Sequence, residues 1–146
     1  MAALAAQHSG ATPTPSCAHP MTDSDPRVPI DLRRAAAELT DLWSPRVVAE
    51  LNGQYVKVAK VKGEFVWHAH DGEDEMFLVL QGRLQLQFED RVVELGPGES
   101  CVVPRGVRHN PRADDEVLLA LFEPKATLHA GDVASDKARS IEEQRR

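Results

Sequence analysis

Residues 46–124 are cut into short β-like runs with no helical pattern between them: "RVVAEL", "QYVKVAKV", "EFVWHAH", "EMFLVLQ", "RLQLQFE", "RVVELG", "SCVVP" and "EVLLALFE". The breaks are "NG", "KG", "DGED", "QG", "ED", "GPG", "PRG" and "ADD", each rich in residues that turn a chain. Strands at this spacing indicate an all-β sandwich or barrel. Asn52-Gly53 is the clearest hairpin turn. Leu84, Leu86 and Phe88 alternate with Gln85 and Gln87, so that run has one buried face. "MFLVL" and "VLLALF" do not alternate, so both of their faces are expected to be covered, by a helix, a second sheet or another subunit. The shortness of the chain makes a homodimer the preferred source of cover.

The flanks read differently. Residues 30–43, "IDLRRAAAELTDLW", repeat Leu32, Ala35, Ala36, Leu39 and Trp43 at helical spacing, with Asp31 as N-cap and Pro45 as stop. This gives a helical arm over 30–45. Residues 1–29 open on a small, polar, Pro-rich stretch that lacks the marks of a signal peptide and is expected to be a disordered extension. Residues 125–146 form a polar tail whose end, "SDKARSIEEQRR", is expected to be a frayed helix or solvated.

The chain of 146 residues is long enough for one domain with its own core. Its net charge of −6 argues against a nucleic-acid or anionic-membrane surface. No apolar run reaches the length of a membrane helix. The two cysteines, Cys17 and Cys101, make no disulfide framework, so a reducing cytoplasm is the expected setting.

Chemistry concentrates in "VWHAHDGEDEMFLVLQG", residues 66–82. On a strand, residues two apart point to one face, so His68 and His70 project together. "DGED" reads as a turn, and an antiparallel return would bring Glu75 beside them, with Phe77 and Val79 as an apolar wall. Two imidazoles and a carboxylate at that separation suit a divalent metal. A second stretch, "GESCVVPRGVRHN", adds His109 as a fourth donor after the turns shaped by Gly98, Pro104 and Gly106.

These two stretches resemble the two motifs of the cupin superfamily. The first is matched by Gly63, His68, His70, Glu75 and Gly82, with the opening gap one residue short. The second is matched by Gly98, Pro104, Gly106 and His109, with Ala113 in the place of the closing Asn. The chain is most similar to small, single-domain conserved-barrel (cupin 2-like) proteins. The resemblance implies a jelly-roll barrel over 46–124 that binds one divalent ion through His68, His70, Glu75 and His109, commonly as a dimer.

The donor set admits Fe, Mn, Zn or Ni. Among similar cupins such a centre serves dioxygenase, isomerase or lyase chemistry on a small oxygenated molecule; the alternative is a barrel that binds a small molecule without turnover. Turnover needs a proton-transfer group, and side-chain parity offers Tyr55 and Lys57, then Glu64 and Cys101, as interior candidates. Glu73 and Asp74 are expected in a solvated turn, and Trp67 in an outer layer. Arg105 and Arg108 bracket the turn before His109, either as ordinary exposed arginines or as groups that draw an anionic substrate to the opening. His8, His19 and His129 lack spaced partners and are expected at the surface.

Overall fold

A computed structural model describes residues 25–146, so the expected extension, with His8, Cys17 and His19, lies outside the described residues except for 25–29. The elements run α1 (Leu32–Ala37), β1 (Arg46–Leu51), β2 (Gln54–Glu64), β3 (Glu75–Gln81), β4 (Leu84–Phe88), β5 (Val92–Leu95), β6 (Ser100–Val103), β7 (His109–Pro124) and α2 (Ile141–Gln144). The fold is a cupin-type β-barrel in which every strand pairing is antiparallel.

The long strand β7 is the seam. One edge pairs with β2 along almost its whole length, from Gln54↔Pro124 to Glu64↔Arg112. The other edge changes partner: its first half pairs with β4 and its second half with β3. Between the halves the β2–β7 register slips, leaving the polar Asp114, Asp115 and Glu116 bulged outwards. "ADD" is therefore a bulge within a strand rather than the turn read from the sequence. The sixteen-residue strand bends there and so serves two neighbours in different parts of the barrel.

Parity then fills the interior. Ala59 and Val61 of β2, Phe77 and Val79 of β3, Leu84 and Leu86 of β4, and Leu119 and Leu121 of β7 form one buried cluster. Burial of each such side chain contributes about 1.5–3 kcal/mol. The outer faces of β2 and β7 are covered at Val58 and Leu118 by Ala36 and Leu39 of the N-terminal arm, with Val48 and Leu80 alongside. The arm thus supplies part of the cover for which a second subunit was expected.

The helix is shorter than its periodicity implies. Asp31 caps it, accepting from the Arg34 amide, but it ends at Ala37. Trp43 leaves the helical path at φ 55°, where its backbone N–H donates to the Lys60 carbonyl and its indole Nε1 to the Lys62 carbonyl. Its ring stacks on Phe65 at 5.0 Å. Bonds to the barrel outweigh the local preference of "ELTDLW" for another turn. Among the described residues no helix is long and apolar enough to cross a membrane.

Gly82, at the β3–β4 turn, sits at φ +88°, and a Cβ there would lie 2.8 Å from the Glu116 carbonyl oxygen and 3.0 Å from Val117. Gly82→Ala combines backbone strain with a clash against main chain. It should lower the unfolding free energy by about 2 kcal/mol or more, measured as a reduced urea midpoint at unchanged slope.

Candidate metal centre

Four side chains from three parts of the chain converge inside the barrel. His68 and His70 lie on the extended segment between β2 and β3. Glu75 opens β3, and His109 opens β7. The histidine segment is not a strand returning onto β3, as the sequence suggested. It is held to β7 by an isolated bridge in which the His68 and His109 backbones exchange two hydrogen bonds, at 3.0 and 2.9 Å. Glu75 pairs instead with Val103 of β6, and its side chain reaches the histidines across the interior. A potential ligand atom from each of the four lies within 4.8 Å of the others, and all four residues are buried.

The loops leading to the donors are fastened to each other. Asp74 accepts from the Arg105 amide at 2.9 Å and from its guanidinium at 3.2 Å. The Gly106 amide donates to the His70 carbonyl at 2.8 Å. Arg108 donates to the Trp67 carbonyl and lies 3.5 Å from Asp132. These bonds hold the approaches to His70 and His109, so Arg105 and Arg108 act as ties rather than as lures for an anion, and Asp74 has a structural partner. Trp67 is on the outside, as expected, and 37% exposed.

Hydrogen bonds set the ring tautomers. Nδ1 of His68 lies 2.9 Å from the Val66 carbonyl, and Nδ1 of His109 lies 3.0 Å from the Val107 carbonyl. A carbonyl can only accept, so both neutral rings carry their proton on Nδ1 and keep an Nε2 lone pair free. Outer partners of this kind orient metal-binding histidines. His109 Nε2 is fully buried and has no hydrogen-bond partner, although Glu75 Oε2 stands 3.4 Å away. A buried acceptor without a donor is costly, and a cation would satisfy it. The residues therefore fit a divalent ion, and they could hold one.

Charge supports the same fit. Burial, with the neighbouring His109, pushes His68 down to about 4, so the ring is neutral and ready to donate a lone pair. Burial also works against a charged His70, but the Glu75 carboxylate at 3.1 Å raises it overall. Burial opposes a charged Glu75, yet the His70 imidazole facing it at 3.1 Å helps to hold its carboxyl below the usual range. One carboxylate is thus enclosed among three imidazoles.

The other candidates separate. Tyr55 and Lys57 do point inwards together, and the Lys57 ammonium sits 5.7 Å from the Tyr55 ring. Lys57 is not a free base, however, because it is ion-paired with Glu123 of β7, and both are almost wholly buried. Burial and the Glu75 carboxylate push the Glu123 carboxyl up, while the Lys57 ammonium it pairs with holds it down. Glu64 is exposed rather than interior, and it accepts from Asn110. Cys101 is half-buried beside the core, and its burial raises the thiol pKa, which disfavours a nucleophile.

A small, mostly apolar cavity adjoins the donors on the side of His68 and Glu75, walled by Trp43, Val61, Phe65, Phe77, Leu119 and Leu121. The sequence reading missed two polar residues here. Glu123, which pairs with Lys57 beside Glu75, was one more acid in an apolar run. His129, placed at the surface for want of a spaced partner, lines the cavity with its ring 5.1 Å from Phe65.

His129 is carried inwards by the C-terminal segment, which is packed and not a free tail. Asp132 and Ala69 exchange hydrogen bonds of 2.9 and 3.1 Å. Gly131 lies so close beneath them that a Cβ would be 2.1 Å from the Ala69 carbonyl oxygen. Lys137 reaches the Glu64 and Phe65 carbonyls, and a capping box at Ser140 starts α2, whose Gln144 is buried. The only sequence signal was Gly131 two residues after His129, which is weak in a polar tail.

A small antiparallel barrel that encloses a three-histidine, one-carboxylate cluster is the architecture of a cupin. The chain belongs to the cupin-2 family: the family model of the cupin domain matches residues 54–123. It is 43% identical to a cupin-2 domain protein from Shewanella frigidimarina, whose crystal structure superposes with a TM-score of 0.64 over 66% of this chain and 94% of that one. The crystal structure of protein NMB1881 from Neisseria meningitidis is 27% identical, with a TM-score of 0.61 over 67% of this chain and all of that one. An uncharacterized Bacillus subtilis protein, YdbB, is 36% identical over 84 residues, 57% of this chain and 74% of its own.

Two outcomes are expected. A saturating divalent ion, at 100 times its dissociation constant, should stabilise the fold by about 2.7 kcal/mol. That gain, read as a rise in melting temperature, should vanish in His109→Ala and His68→Ala. In chelator-treated protein, His68 and His129 both titrate near 4, below the 6.5 of an ordinary histidine. Their contribution is therefore complete above about 6.5 and is lost as pH falls through about 4. His70, raised by Glu75, contributes in the opposite sense, below 6.5, and fades as pH rises. Urea denaturation should therefore show the His68 and His129 contribution being lost between pH 6.5 and pH 4, and His129→Leu should flatten that part of the profile.

Proposed function

We propose that this protein is a divalent-metal cupin enzyme acting on a small oxygenated molecule with an apolar body, at the cavity beside His68 and Glu75. The unpartnered, buried Nε2 of His109 among three further donors carries the metal reading. His68, His70, Glu75 and His109 would hold the ion, which when bound supplies Lewis acidity to a coordinated oxygen. The donors are imidazole and carboxylate, a set that suits Fe, Mn, Zn or Ni.

The cavity narrows the substrate. Its walls are aliphatic and aromatic, and Lys57 is already engaged by Glu123, so no free ammonium is offered to a phosphate. A diketone or a 2-oxo or 2-hydroxy acid suits these walls better than a sugar phosphate. The chain's own residues keep bulk water from the reacting oxygen: Trp43 and Phe65 stack over one side of the cavity, and the C-terminal segment crosses His68 and Ala69. A homodimer belongs to the same proposal, with Trp67 and the 55%-exposed Val102 outside the barrel as candidate contacts.

One observation favours ligand binding without turnover. Tyr55 and Lys57, the proton-transfer candidates, do not line the cavity, and Lys57 is neutralised by Glu123. Elemental analysis of protein purified without a metal-binding tag should find about one divalent ion per chain. Protein loaded in turn with Fe, Mn, Ni and Zn should turn over a diketone, a hydroxy acid or an oxo acid, saturably, and lose this in His109→Ala. Tight binding with no product for any metal would establish the non-catalytic reading, and absence of metal from every preparation would overturn both.

A further inference from the structure

His129 is the one polar group in the cavity that the four clustered donors do not account for. Its Nδ1 accepts a hydrogen bond of 3.1 Å from the Arg139 backbone N–H. A nitrogen that accepts carries no proton, so the neutral ring has its hydrogen on Nε2. Among the described residues, Nε2 has no hydrogen-bond partner. The half-buried ring thus brings an N–H to a cavity whose walls are mostly apolar. Its tautomer is opposite to that of His68 and His109, whose Nδ1 atoms donate to carbonyls. The donors on one side of the cavity offer lone pairs, and His129 offers an N–H.

Its support is rigid. The Arg139 carbonyl accepts from the buried Gln144 amide at 2.7 Å, so the residue that orients His129 is itself tied to α2. Gly131 and Asp132 seat the other end on Ala69, next to His68. The matched family region stops at residue 123, so His129 and Arg139, which orients it, lie beyond it.

We propose that His129 is a ligand-binding residue, whose Nε2–H donates to a metal-bound, monoanionic 2-oxo or 2-hydroxy acid carrying an apolar tail. This rests on the metal reading above. A divalent ion with one Glu75 carboxylate leaves one positive charge, which a monoanion balances. A 2-oxo acid offers two oxygens to an ion through its ketone and one carboxylate oxygen, leaving the second carboxylate oxygen to accept from His129. Its tail would face Val61, Phe65 and Leu119, which must part to admit it, because the cavity as it stands holds about 30 Å³. A sugar phosphate has no apolar tail, and the cavity has no free cation for its second charge.

The test uses full-length protein loaded with Co(II) and titrated with 2-oxoisovalerate, followed by the metal's absorption spectrum. Wild type should bind it saturably. His129→Leu should weaken it about tenfold, as expected for a lost donor facing a charged acceptor. His129→Gln, which keeps an amide donor near the Nε2 position, should stay within about threefold of wild type. Co(II) affinity should be the same in all three. Intact Co(II) binding with no 2-oxoisovalerate binding, or with binding indifferent to His129→Leu, overturns this inference alone. Failure of the wild type to take up Co(II) overturns the metal reading on which it rests. Nitrogen NMR of the metal-free protein gives an independent measure: an Nε2–H tautomer at His129 supports the assignment, and an Nδ1–H tautomer overturns it.

Discussion

A carboxylate buried in an apolar barrel is the constraint around which this protein is arranged. Glu75 opens β3 with its side chain among Phe77, Leu119 and Leu121, where an isolated anion would be far too costly to keep. It is tolerated because nitrogens converge on it from two other places in the sequence. That convergence requires the irregular His68–His70 segment to lie against β7, the Asp74–Arg105 ties to fix the loops, and β7 to bend so that one strand can serve both β4 and β3. Seen this way, the bulge at 114–116 and the loop fastenings are parts of the site as much as of the fold.

The sequence was most informative where the cause is local. Strand runs, the Asn52-Gly53 turn, the Asp31 cap and the alternation of Leu84, Leu86 and Phe88 depend on neighbours within a few residues. The four clustered donors were legible because two motifs with fixed spacing carry them. What stayed hidden depends on distant partners. Trp43 leaves its helix to bond carbonyls of β2, Lys57 meets an acid sixty-six residues on, and His129 is drawn in by a segment whose composition looks solvated. The His68–Glu75 hairpin was a right conclusion about proximity reached through a wrong pairing. Parity on a strand and parity on an extended loop look alike until the partner strand is known.

The two flanks outside the matched domain do related work. The N-terminal arm lays Ala36 and Leu39 on the outer faces of β2 and β7 and then turns Trp43 inwards. The C-terminal segment crosses the opposite approach and turns His129 inwards. Two walls of the cavity are thus built from segments outside residues 54–123, which the family model matches.

The ion pair between Lys57 and Glu123 has a consequence for descent. The two side chains are 1% and 3% exposed, and losing either would strand the other's charge in the interior beside a third ionisable group. Such a loss is far more damaging singly than jointly. Lineages should therefore inherit both or abandon both together, and a surviving half would mark either a recent change or a compensating neighbour.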